Sequence, residues 1–147
     1  VERIIIRRFK ASDLPSILRI EKISFGPEAW PPKLFREYAR ECPKLFLVAA
    51  AGRKIAGFSI ACIARQAAEL ASIAVLPEFR GRGVATSLLK TAINKVRREG
   101  IAAMWLMVRS DNQTAAGLYR KLGFVRTSRV SGYYEDGSPG TRMRAVL

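Results

Sequence analysis

Between Ile73 and Val96 the chain changes its hydrophobic period within a few residues, and this limits the architectures open to it. Ile73-Ala74-Val75 reads as a strand end, Pro77 interrupts it, and Gly81 and Gly83 form a turn. From Val84 the apolar residues Leu88, Leu89, Ala92, Ile93 and Val96 recur at helical spacing, and Gly100 ends the helix. The apolar run Ile101 to Val108 then reads as a buried strand, so the segment supplies one strand–helix–strand crossover.

The remaining elements follow from the same patterns. Residues 3 to 8 read as a strand, and Ser12 and Asp13 offer N-cap side chains to a helix through Leu14, Ile17, Leu18 and Ile20. The aromatic loop Phe25 to Pro32 joins it to a second helix bearing Leu34, Phe35 and Tyr38. Leu45–Ala51, a Gly52-Arg53 turn, Ile55–Ile63, a break near Arg65 and Glu69–Val75 give an antiparallel meander. After the crossover, Asp111 or Asn112 caps a short helix through Leu118 and Leu122 that Gly123 stops. Phe124–Val130 and Thr141–Leu147 are the last strands. The order is βααβββαβαββ, an α/β mixture, and with no linker or repeat residues 1–147 form one domain.

Composition narrows the chemistry. There is no histidine, so proton transfer near neutral pH falls to carboxylates, tyrosine, cysteine or water. Cys42 and Cys62 lack metal or redox spacing and read as reduced, buried apolar fillers, and no metal site is expected. No apolar run is long enough for a membrane span and the start of the chain reads as a strand rather than a signal, so a cytoplasmic protein is expected. Lys and Arg total 26 against 12 Asp and Glu, a net charge of +14 that admits nucleic acid, a ribosome surface or a phosphorylated cofactor as partner. Most such charges are solvated faces, and no nucleic-acid-binding motif is present, so nucleic-acid contact ranks as secondary.

The strand–glycine turn–helix unit has the outline of a phosphate cradle. Glycines let the backbone approach a ligand, and the first N–H groups of a helix point outward at the positive end of its dipole. Arg80 and Arg82 add charge at the rim. The Lys-Ser/Thr pair of a P-loop and the GxGxxG dinucleotide pattern are both missing, which disfavours ATP and NAD.

Arg80, Gly83 and Ala85 resemble the signature of the GNAT N-acetyltransferases: Arg or Gln, two residues, Gly, one residue, then Gly or Ala. Downstream, Asn112, Ala115, Tyr119 and Leu122-Gly123-Phe124 resemble the family's second motif. The resemblance implies a splayed, mostly antiparallel mixed sheet of about seven strands with four helices, and acetyl-coenzyme A as co-substrate. In its terms the main chain at Ile73, Ala74 and Val75 pairs with the pantetheine arm. Arg80, Gly81, Arg82, Gly83, Val84, Ala85 and Thr86 hold the pyrophosphate, with Asn112, Ala115 and Tyr119 also at the coenzyme. It further implies that Tyr119 protonates the departing thiolate, that Glu69 accepts the amine proton through water, and that the Val75 N–H donates to the oxyanion.

The chain is most similar to the ribosomal-protein-alanine and archaeal N-terminal acetyltransferases, through Ser24-Phe25, Trp30, Phe35 and Tyr133-Tyr134-Glu135-Asp136-Gly137. This implies a protein or peptide N-terminus as acceptor, a ribosomal one among the options, with Phe25, Glu28 and Tyr134 around it. It departs from that group at Met107, where a glutamate is often found. A small-molecule amine acetyltransferase, a weakly catalytic acetyl-coenzyme A binder and a nucleic-acid-associated module are the alternatives.

Overall fold

The structure is a computed structural model and describes residues 2–147. Strand β1 (Ile4–Arg8) leads into helices α1 (Leu14–Phe25) and α2 (Pro32–Glu41). The meander follows as β2 (Phe46–Ala51), β3 (Lys54–Ala64) and β4 (Ala67–Val75). Helix α3 (Val84–Arg98) crosses to β5 (Ala103–Arg109), and α4 (Gln113–Lys121) precedes β6 (Val125–Val130) and β7 (Gly140–Val146). Among the described residues these are the seven strands and four helices expected, with boundaries a few residues from those read in the sequence. No helix is long and apolar enough to cross a membrane.

The seven strands form one sheet in the order β1-β2-β3-β4-β5-β7-β6. Every pairing is antiparallel except β4 with β5, the pair joined through α3. Consecutive residues of β2 and β3 are buried, Phe46 to Ala49 and Ile55 to Ala61, which requires cover on both faces. On one face Phe35 of α2 packs against Phe46 and Phe58, with centroids at 6.4 and 5.8 Å. On the other α3 lays Leu88, Leu89, Ala92 and Val96 over β1 to β4. The β6 edge carries no such cover, and all its residues are exposed.

The turns obey their residues. Gly52 and Arg53 make the two-residue hairpin between the Ala51–Lys54 pair, with Gly52 at φ 61°. Asp13 does not cap α1 through its side chain as expected. Its carboxylate turns back to the Lys10 N–H at 2.9 Å and takes both arms of the Arg7 guanidinium at 2.8 and 2.9 Å. A one-turn 3-10 segment, Ala11–Asp13, fills the interval, so the acid ties β1 to the helix entrance instead.

The cysteine reading is overturned. Cys42 and Cys62 are joined by a disulfide with a Cα–Cα distance of 5.5 Å, and both are half-exposed rather than buried. Cys42 ends α2 and Cys62 lies on β3, so the bridge exists because α2 folds back over the sheet. Sequence spacing carries no trace of that proximity.

Candidate active site

The sheet opens where β4 meets β5. These strands pair only over Ala68–Leu70 with Met104–Leu106, and past that point they part. The register between β3 and β4 slips at the same level, so that Ile60 opposes Ser72, Ala61 opposes Leu70, and Ala71 has no opposite residue. A bulge adds local twist and bends its strand, which swings β4 off β5 at this level. The cleft thus runs from Ala71 to Val75 on one side and from Met107 to Arg109 on the other.

Its β4 wall is lined by main chain. Leu76 donates to the Ala56 carbonyl of β3 at 2.8 Å, and strand alternation then turns the N–H and C=O groups of Val75 and Ile73 toward the cleft. Ala74 is buried between them. The Val75 carbonyl accepts from Arg80 Nε at 3.2 Å, which folds that guanidinium back over the strand end.

Past Val75 a 3-10 turn, Pro77–Phe79, leads to Gly81 and Gly83, which take φ of 76° and 75°. Both conformations lie in the left-handed region that favours glycine. They place the N–H groups of residues 81 to 86 so that none donates to a described protein acceptor; the next, Ser87, bonds the Gly83 carbonyl at 2.9 Å. Arg82 stacks over Phe79 at 5.3 Å, and no acidic residue occupies the first turn of α3. Unpaired donors in series at a helix N-terminus suit a pyrophosphate, so Gly81, Arg82, Gly83, Val84, Ala85 and Thr86 fit the phosphates of acetyl-coenzyme A.

Across the cleft, the Asn112 side chain caps α4 by accepting from Ala115 N at 3.1 Å. One turn beyond Ala115, Tyr119 is 6% exposed and packs edge-on against Phe124 at 6.0 Å. Burial, with the charge of Tyr134 adding to it, pushes its hydroxyl up to about 12. The phenol therefore stays protonated throughout the working range and adjoins the loop that bears Tyr134.

Glu69 stands opposite Cys62 and level with Trp105, at the closed end of the cleft. Burial holds its carboxyl above the usual carboxylate range, while Arg142 pulls it the other way. The six residues to Val75 span about 20 Å of extended strand, so the two cannot serve one reacting atom at hydrogen-bond range. Met107, on the far wall, brings no carboxylate.

Two loops border the open end. Phe25 is 39% exposed at the end of α1, and Glu28 follows in a 3-10 turn. Tyr134 lies between β6 and β7, half-buried and edge-on to Tyr133 at 4.9 Å. Arg109, at the end of β5, joins them. Its guanidinium lies 4.2 Å over the Tyr134 ring, donates to Glu28 Oε1 at 2.6 Å and to Asp136 Oδ2 at 3.1 Å, and holds Glu28 in an ion pair. Beneath this, Glu21 is 2% exposed and accepts the Trp30 N–H at 2.9 Å, while its other oxygen has no protein partner. Burial raises its carboxyl.

Sequence reasoning missed Arg109 and Glu21. Glu21 left a signal, being a charged residue four positions from Ile17 on the apolar stripe of α1. Arg109 left none, since a basic residue closing a strand is ordinary in a chain this basic.

The comparisons agree with this geometry. Residues 14–124 match the sequence model of the Acetyltransferase (GNAT) family. The chain is 31% identical to an N-alpha-acetyltransferase of Saccharolobus solfataricus, covering 97% of this chain and 92% of that protein. It is 32% identical to the [Ribosomal protein bS18]-alanine N-acetyltransferase of Escherichia coli, over 88% of this chain and 86% of that one. Among solved structures, Ard1 from Thermoplasma volcanium superposes with a TM-score of 0.93 at 30% identity, covering 98% and 97% of the two chains. A forked sheet, a glycine turn with free N–H groups at a helix start and these matches together show that the chain belongs to the acetyltransferase (GNAT) family.

Proposed function

We propose that the chain transfers acetyl from acetyl-coenzyme A to the N-terminal α-amine of a protein or peptide. One observation carries the choice of acceptor. Arg109 fastens the Glu28 and Tyr134 loops together at the open end of the fork, leaving a bordered entrance that suits an extended chain end. The Saccharolobus and Escherichia relatives are named for acetylating such ends, the latter on a ribosomal protein.

An arm anchored at the Gly81–Gly83 turn runs down the cleft from Val75 toward Ala71, a distance of about 13 Å. Its thioester then comes to rest near Glu69, and Val75 pairs with the arm well above it. The Ile73 main chain, deeper in the same wall, is the better-placed oxyanion donor. Glu69, with its raised carboxyl, takes the proton of the amine through water. The amine nitrogen attacks the thioester carbon, the carbon–sulfur bond breaks, and the sulfur departs as thiolate.

Tyr119 helps that departure as a hydrogen-bond donor. A phenol near 12 facing a thiol near 8.5 makes full proton transfer uphill by about 5 kcal/mol, so the thiolate is stabilised before it takes a proton from solvent. Phe25 packs along the first acceptor side chain, and the Tyr134 hydroxyl bonds the first peptide group. Glu28 and Asp136 share the single Arg109 guanidinium, and the net negative charge of that cluster draws the free ammonium toward the entrance.

The test is coenzyme A release from acetyl-coenzyme A with short peptides of varied first residue, beside spermidine and lysine. Turnover confined to free peptide N-termini supports the reading. Turnover only with the small amines, or coenzyme binding without turnover, overturns it.

A further inference from the structure

A second cavity backs onto the β5 wall of the fork at Val108 and Arg109, and its lining includes three arginines and no carboxylate. It has a volume of about 180 Å³ and lies between α4 and the β5–β7–β6 part of the sheet, with Ser110, Gln113, Arg120, Arg126, Thr141 and Met143 around it. Gln113 and Arg120 share one stripe of α4, two turns apart, while Tyr119 occupies the stripe turned into the core. Arg126 stands opposite Met143, whose side chain is buried on the α4 face of the sheet, so its own side chain shares that face.

Among the described residues neither Arg120 nor Arg126 has a salt-bridge partner, although six other such pairs form. Ser110 Oγ and Thr141 Oγ1 lie 2.8 Å apart. One hydroxyl hydrogen is used between them, which leaves the other free for an outside acceptor. Arg129, opposite Thr141 on the same face, continues the positive strip along β6, a strand exposed over its whole length.

We propose that this cleft binds the phosphate backbone of single-stranded RNA. Guanidinium groups grip phosphate oxygens in pairs of hydrogen bonds, and the free hydroxyl and the Gln113 amide add neutral donors. Charges repeated along a strip match a ligand whose charge repeats along its length, and the net charge of +14 draws such a ligand in. The cavity admits a single flexible strand, whereas a duplex presents a broad convex surface. The Gln113 amide, both donor and acceptor, suits a 2′-hydroxyl. The proposal depends on no step of the acetylation reading.

The probe is a fluorescein-labelled oligouridylate about ten nucleotides long, titrated by anisotropy with the full chain at several salt concentrations. Counterion release contributes about 0.7 log units per phosphate contact at 0.1 M salt. The double variant Arg120→Gln/Arg126→Gln is therefore expected to bind about 25-fold more weakly and to lower the salt slope by about 1.4. Arg97→Gln/Arg98→Gln, which removes equal charge from the end of α3, is expected to change affinity less than about threefold. Thermal melts confirm that each variant is folded, and Gln113→Glu, a single change that places a carboxylate in the cleft, weakens binding as well. Equal losses in both double variants, no binding by the parent chain, or displacement of the RNA by coenzyme A would each overturn the proposal. So would RNA binding indifferent to Arg120 and Arg126 while polyglutamate binding depends on them, which assigns the cleft to an acidic protein segment.

Discussion

At the scale of single residues, the proposed mechanism rests on two groups that burial treats differently. Glu69 must be ionised to accept a proton, and burial raises its carboxyl above the ordinary range. Activity is therefore expected to fall as pH drops through that raised value, and Glu69→Gln should lower kcat about a hundredfold or more and lose this acid limb. Tyr119, held near 12, adds no limb of its own below pH 11. Tyr119→Phe should lower kcat about tenfold or more while the Kd for acetyl-coenzyme A, read by calorimetry, stays within about twofold. An unchanged kcat would remove the phenol from the mechanism. Glu21 gives a stability test. Its folded carboxyl titrates above its unfolded one, so the folded state binds more protons between the two values, and stability declines as pH rises through that window. Urea unfolding across that window should show the decline in the parent chain and none in Glu21→Gln, which keeps an acceptor for the Trp30 N–H.

Elements place these residues. The bulge at Ala71 parts β4 from β5, and the two left-handed glycines turn the chain so that successive N–H groups point one way. Arg109 acts at this scale too, since it binds two loops rather than a reacting atom. Arg109→Ala should raise KM for the peptide about tenfold, with KM for acetyl-coenzyme A unchanged, because the loops that frame the acceptor separate while the phosphate turn is untouched. Steady-state kinetics with each substrate varied in turn decides it, and a shift confined to acetyl-coenzyme A would contradict the assignment.

For the whole molecule, the disulfide fastens α2 to the sheet across 20 residues of sequence. A loop of that length implies about 3 kcal/mol of stabilisation, and Cys42→Ser, or reduction of the parent chain, should lower the melting temperature by several degrees. An unaltered melt would show that the bridge contributes nothing. Much of the fold was legible beforehand, because element type depends on neighbours in sequence. Apolar runs bounded by turn residues made strands, the stripe from Val84 to Val96 made α3, and Pro77, Gly100 and Gly123 marked boundaries. The glycine turn before α3 was legible for the same reason, its glycines and helix start being contiguous. Distances between elements were not legible. The cysteine pair, the Glu28–Arg109–Asp136 ion pairs and the contact of Glu21 with Trp30 unite residues through a packed sheet, and no periodicity records which side chains packing will bring together. Whether Val75 and Glu69 can share one reacting centre likewise depends on the length of the strand between them, which their identities do not give. The sequence by itself determined the order of elements and the glycine turn before α3, since both are set by local backbone preference. The tertiary structure alone decided where the sheet forks, which loops meet and which side chains pair across them, since those follow from long-range packing.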